Sequence, residues 1–145
     1  MFKHFKTLLL ITLLLSACTD STIADPVQKA KARVIQVSTH DVANNHLHKD
    51  LVIDVRESDE IITGMIPGAI HIPVGQLQSE FPKYLQSLGN DSSQQTIVLY
   101  CRSGNRSAVG ADALQKLGFS NIVSMQGGIK AWVAEKRSIV IPAKD

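Results

Sequence analysis

Cys101 sits between an apolar run, Thr96–Tyr100, and a glycine, Gly104, with Arg102 and Arg106 on either side of that glycine. A thiol in such company is a candidate nucleophile. The apolar run predicts a strand and Arg106 opens a helical pattern, so Cys101 to Asn105 form the loop between them. A tight loop feeding a helix turns successive backbone N–H groups inward, and the helix N-terminus adds positive dipole character. Gly104 permits the backbone angle that such an anion nest needs. With the two arginines added, the thiol is expected to titrate below its free value of about 8.5. That suits a nucleophile which meets an anion and stays anionic itself. A plain helix cap over a packed cysteine would need only one of Ser103, Asn105 and Ser107, and neither arginine.

The elements that must position this loop follow from the apolar pattern. Val34–Val37, Leu51–Val55, Ala69–Ile72, Thr96–Tyr100 and Ile122–Met125 are rich in Val and Ile and read as buried strands. Asp41–Asn44, Ser58–Thr63, Val74–Leu88, Arg106–Leu117 and Ile129–Lys136 read as helices between and after them. In Arg106–Leu117, Val109, Ala113 and Leu117 recur at helical spacing, as do Ala111 and Leu114, and Gly118 offers a stop. Strands alternating with helices predict an α/β domain: a mainly parallel five-stranded sheet covered on both faces. Ligands of such sheets collect at the carboxyl ends of strands, where Cys101 lies.

The other end of the chain bears on the compartment. Lys3 and Lys6 precede an apolar run, Leu8 to Leu15, too short for a spanning helix of about 20 residues but suited to a secretion signal. Leu15, Ser16, Ala17 and Cys18 resemble a bacterial lipobox, the alternative being an ordinary signal or short anchor. Cleavage after residue 17 would leave Cys18 lipidated, with two or more acyl chains for stable membrane attachment. Thr19 favours the outer membrane over the inner, against Asp20 next to it, so an exported lipoprotein facing the periplasm is expected. The net charge of +2 resides in Lys3 and Lys6, so the processed chain is neutral and has no bulk reason to bind nucleic acid. Of two cysteines, only Cys101 then stays free, which excludes an internal disulfide. Residues 18–33 are polar and small and read as lipidated cysteine and tether; a single domain follows, over 34–140.

Four motifs in order carry a resemblance to the single-domain rhodanese-like sulfurtransferases, over residues 34–136: "LVIDVRE" at Leu51–Glu57, "GMIPGAIHIP" at Gly64–Pro73, "CRSGNRS" at Cys101–Ser107 and "GGIKAW" at Gly127–Trp132. The resemblance implies the three-layer rhodanese fold. It implies that Cys101 attacks the outer sulfur of an anionic donor such as thiosulfate, keeps it as a persulfide, and passes it to an external acceptor, cyanide or a thiol. N–H groups of residues 102–106 would hold the sulfur, Arg102 and Arg106 would help bind the donor, and Ser103, Gly104, Asn105 and Ser107 would complete the cradle. No metal or organic cofactor is implied, and the protein is expected to act as a monomer. Related phosphatases and arsenate reductases carry five residues between cysteine and arginine; this loop encloses four, a narrower cradle that favours sulfur transfer. The second class of reading is a persulfide- or anion-binding module that delivers sulfur with little turnover on free thiosulfate.

Met65 stands where many relatives have histidine. Asp54 and Arg56 are read as a lock between loops rather than a catalytic carboxylate and cation, and Glu57 as solvated. His46 and His48 have the spacing of a metal pair on a strand, but no further ligand cluster accompanies them, which favours a solvated loop. His71 reads as a packed or capping residue, and Trp132 as core and not a binding platform. Gly127 and Gly128 read as the tight turn into the last helix and not as a phosphate loop.

Overall fold

The computed structural model describes residues 25–46, 50–89 and 95–143. Five short strands, β1 (Gln36–Val37), β2 (Leu51–Asp54), β3 (Ile70–His71), β4 (Ile97–Tyr100) and β5 (Ile122–Met125), pair in parallel in the order β1-β5-β4-β2-β3. The helices are α1 (Pro26–Arg33), α2 (Thr39–His46), α3 (Ser58–Ile61), α4 (Leu77–Leu88), α5 (Asn105–Lys116) and α6 (Gly128–Ala134). The expected α/β, mainly parallel five-stranded sheet is therefore present. β4 lies at its centre, and the chain leaves β2 and β4 in opposite directions across the sheet, so the ligand crevice of an open parallel sheet falls between these two strands.

The period-two alternation of the strands divides the core into two layers. Ile53, Ile97 and Leu99 pack with Leu77 and Phe81 of α4 and with Ala111 and Leu114 of α5. Val52, Val98 and Tyr100 pack on the opposite face with Val42 of α2 and with Ile129 and Trp132 of α6. All four residues of β4 and of β5 are buried, as strands covered on both faces should be.

Three expectations need correction. The stretch read as a tether is helical from Pro26 onward and packs on α5. Asp25 caps it by accepting from Val27 N–H at 3.0 Å, Pro26 opens it, Ala30 is buried, and Arg33 grips Asp112 of α5 at 2.6 and 2.7 Å. A mostly polar helix held by an ion-pair fork leaves no apolar stripe to read, although Asp-Pro is a helix-start signal. On α5, Val109 and Leu117 are 38% and 54% exposed, and the buried face is Ala108, Gly110, Ala111 and Leu114. Gly110 faces α4 closely: a Cβ there would sit 2.9 Å from Leu77 of α4, against 3.6 Å from Leu99 of β4. His46 ends α2 instead of lying in a loop, and His48 falls outside the described residues.

Candidate active site

In the pairing of β2 with β4, Asp54 lies opposite Tyr100. The segments leaving their carboxyl ends, residues 55–60 and 101–106, are therefore neighbours. Cys101 is the first residue after β4 and is 1% exposed. Its Sγ accepts from Gly104 N–H at 3.2 Å. Burial pushes the thiol up, but the N–H groups of Ser107, Ser103 and Gly104, with the Ser107 hydroxyl, outweigh it and hold Cys101 below the ordinary thiol value. The donors are thus Ser103, Gly104 and Ser107, the last of them one residue beyond the expected span. Ser107 is itself oriented by Ser124 of β5, hydroxyl to hydroxyl at 2.9 Å, both fully buried.

Two glycines allow this closure. Gly104 has φ +92°, and a Cβ there would stand 3.2 Å from the backbone of Met125 and Gly127. Gly128, at φ +57°, begins α6 against the nucleophile: a Cβ would come within 2.3 Å of the Cys101 carbonyl oxygen. The Ile129 N–H donates to that carbonyl at 2.9 Å and the Lys130 N–H to the Arg102 carbonyl at 3.2 Å. The free N–H groups at the start of α6 are spent on holding the active loop, so the Gly127–Gly128 turn does more than start a helix.

Arg106 does not stand free. Its Nη1 and Nη2 donate to the two carboxylate oxygens of Glu60 at 2.5 and 2.7 Å. This fork brings Glu60 down to about 2 and drives the guanidinium well above its usual value, with a smaller contribution from the neighbouring Cys101 sulfur. Glu60 in turn receives the Glu57 N–H at 3.0 Å, and its own N–H donates to the Glu57 carbonyl. Glu60 is the site residue that the sequence reading missed; a carboxylate three residues after Glu57, at the start of a short helix, is its only local signal.

Asp54 and Arg56 form a buried pair. Arg56 Nη2 and Nε reach the carboxylate at 2.6 and 3.0 Å, and the Arg56 backbone N–H donates to it at 3.0 Å. The remaining donors go to the carbonyls of Glu60 at 3.2 Å and Gly64 at 2.6 Å. The pair ties β2 to α3 and to the turn beyond it. Its neighbour Tyr100 is pushed far up, chiefly by burial and then by Asp54, and accepts the Ile66 N–H at 3.1 Å. His71 Nε2 donates to the Arg56 carbonyl at 2.8 Å. Met65, buried, exchanges backbone bonds with Val140 at 2.8 and 2.9 Å, seating the C-terminal segment there. Trp132 is buried, and its indole N–H donates to the Ser138 carbonyl at 2.8 Å.

Arg102, Ser103 and Asn105 are exposed, and Arg102 lines a groove beside the loop. Cys18 lies outside the described residues. Among the described residues, no three His, Cys, Asp or Glu side chains gather as metal ligands.

The rhodanese-like domain model matches residues 39–135, which takes in the Asp54–Arg56 lock, the cysteine loop and the α6 clamp together. The chain belongs to the rhodanese-like domain family. It is 35% identical over 95 residues to a sulfurtransferase of Allochromatium vinosum, covering 63% of this chain and 79% of that protein. To a putative sulfurtransferase of Bacillus subtilis it is 38% identical over 86 residues, covering 59% and 76%. Among solved structures, a rhodanese-related protein of Thermoplasma volcanium aligns at TM-score 0.63 and 30% identity, covering 74% of this chain and 99% of that one. A human single-domain sulfurtransferase aligns at 0.58 and 27% identity, covering 71% and 97%. The rhodanese-like fold is shared with the two solved structures, and the relatives support sulfur transfer, a transferase chemistry, for this domain.

Proposed function

We propose that the protein is a thiosulfate-type sulfurtransferase that carries sulfane sulfur on Cys101. The observation that carries this is the buried Cys101 Sγ accepting from the Gly104 N–H at 3.2 Å, in a loop that holds the thiol below its ordinary value. The thiolate attacks the outer sulfur of thiosulfate. The new bond joins Cys101 Sγ to that sulfur, and the bond to the sulfonate sulfur breaks with its electron pair, releasing sulfite. The product is an anionic persulfide, whose charge the same N–H groups can hold. Cyanide attacking the outer sulfur returns the electron pair to Cys101 and leaves as thiocyanate. The four-residue loop supports this chemistry over phosphate-ester cleavage.

A second reading rests on Glu60. Its fork neutralises Arg106 and so weakens the attraction for a dianionic donor, which favours a sulfur-delivery module loaded by a partner and slow on free thiosulfate. Intact mass after incubation with thiosulfate separates the two. Gain of one sulfur atom by the wild type and not by Cys101→Ser, discharged by cyanide, supports the enzyme. A thiol that starts reduced and gains nothing sinks the thiosulfate reading.

We also propose that the chain is a lipoprotein anchored through Cys18, facing the periplasm from the outer membrane and acting as a monomer. The lipobox-like residues 15–18 support the anchor. Globomycin-sensitive processing and loss of anchoring in Cys18→Ala would test it; a chain that fractionates as soluble in both forms would refute it.

A further inference from the structure

A groove of about 650 Å3 opens beside the active loop, with Arg102, Ile129, Lys130, Val133 and Ile139 in its lining. It is tied to the nucleophile's loop, since the N–H groups of Ile129 and Lys130 donate to the carbonyls of Cys101 and Arg102. Arg56 and Glu60 line it too, but their charges are answered, by Asp54 and by Arg106. Arg102 and Lys130 are exposed, and neither pairs with a carboxylate among the described residues. Ile139 and Val133 keep much of their apolar surface uncovered. Solvent-facing aliphatic residues are ordinary when scattered. Here they line a concavity that also carries two unanswered cations, the lining of a site for a small amphipathic anion. Thiosulfate and cyanide have no apolar body and can make no use of that wall.

We propose that this groove seats the sulfur acceptor, and that it selects an organic thiol carrying an apolar body and an acidic group. The inference rests on the persulfide reading above. The acceptor thiol gives its proton to the anionic outer sulfur of the persulfide and attacks that sulfur as thiolate. The sulfur–sulfur bond to Cys101 breaks, its electron pair stays on Sγ as thiolate, and the acceptor leaves as its own persulfide with the proton on the transferred sulfur.

The test uses the purified protein loaded with thiosulfate, weighed to confirm the persulfide, and freed of donor. Single-turnover discharge is then followed with 6-mercaptohexanoate, 6-mercaptohexanol and 2-mercaptoethanol, alkyl thiols that differ in charge or apolar length. The hexanoate is expected to discharge about five- to tenfold faster than the hexanol at low salt, the size of two exposed ion pairs, with the advantage shrinking as salt rises. Lys130→Gln should remove much of that advantage, and Val133→Asp should slow both six-carbon thiols relative to 2-mercaptoethanol. Equal rates for all three thiols would overturn the proposal while leaving the persulfide intact. Should thiosulfate fail to load Cys101, the thiosulfate reading fails on its own, and 6-(methylthio)hexanoate, which cannot react, still probes the groove. Amide shifts confined to residues 129–134 and 139 would support the site; their absence at millimolar ligand would overturn it.

Discussion

Arg106 and Glu60 meet through two parallel hydrogen bonds, at 2.5 and 2.7 Å, across 46 residues of chain. The fork fixes the plane of the guanidinium beside the Cys101 sulfur and fastens α3 to the first turn of α5. Glu60→Gln keeps the shape and removes the charge. Loading by thiosulfate is expected to fall about tenfold, the value of one charge-assisted pair, with Cys101 still alkylated by iodoacetamide. If the variant loads faster instead, Arg106 is the donor-binding cation and Glu60 restrains it.

The same pair carries a pH signature. Glu60 is held at about 2, below the ordinary 4.5. Its pairing therefore stabilises the fold fully above pH 4.5 and is lost as pH falls towards 2. Both side chains are about a third exposed or less, so the effect is at most about 1 kcal/mol. Urea midpoints of wild type and Glu60→Gln should differ at pH 7 and converge near pH 2. A gap that persists in acid would assign the loss to packing.

Cys101 titrates below the ordinary thiol value because the donors of Ser107, Ser103 and Gly104 outweigh its burial. Ser107→Ala removes one of them, so the midpoint of thiolate absorbance at 240 nm should move up and loading at pH 7 should slow severalfold. Ser107 can aim its proton at sulfur only if it accepts from Ser124. Ser124→Ala is expected to move the midpoint in the same direction by a smaller amount. An unchanged midpoint in both variants would leave the backbone cradle as the sole cause.

Gly128→Ala places a methyl within 2.3 Å of the Cys101 carbonyl oxygen at a positive φ. Overpacking against backbone is expected to cost about 2–4 kcal/mol and to disturb the loop. Gly118→Ala, at φ +100° with open space around it, bears only the left-handed strain, about 1–2 kcal/mol. Urea unfolding of the two variants measures the difference. Equal losses would mean that α6 can move away from the loop.

Asp54→Ala strands the buried Arg56 guanidinium, whose other bonds go to carbonyls, and should cost about 3–5 kcal/mol. If the pair is a lock and not part of the chemistry, the molecules that still fold at low temperature should load sulfur at close to the wild-type rate. Thermal unfolding beside single-turnover loading distinguishes the two roles.

Some of this was legible in the chain alone. The five strands stand where their Val- and Ile-rich runs lie, trimmed at the ends, because period-two burial on both faces is written locally. The cysteine loop was legible for the same reason: a strand, four residues with one glycine and a helix start close a turn by themselves. The start of α1 was also there to be read, in Asp25 and Pro26, but its fastening was not. Arg33 finds Asp112 across 79 residues, and no spacing rule joins them. By itself, then, the sequence determined the order of the elements and the chemistry of the nucleophilic loop, because each depends on residues a few positions apart. Tertiary structure alone decided that the charge of Arg106 is answered by Glu60, that Ser124 orients Ser107, and that α6 begins against the nucleophile's carbonyl. Those contacts exist only because the parallel sheet brings the ends of β2, β4 and β5 side by side, and an ion pair or a close backbone approach depends on distance in space.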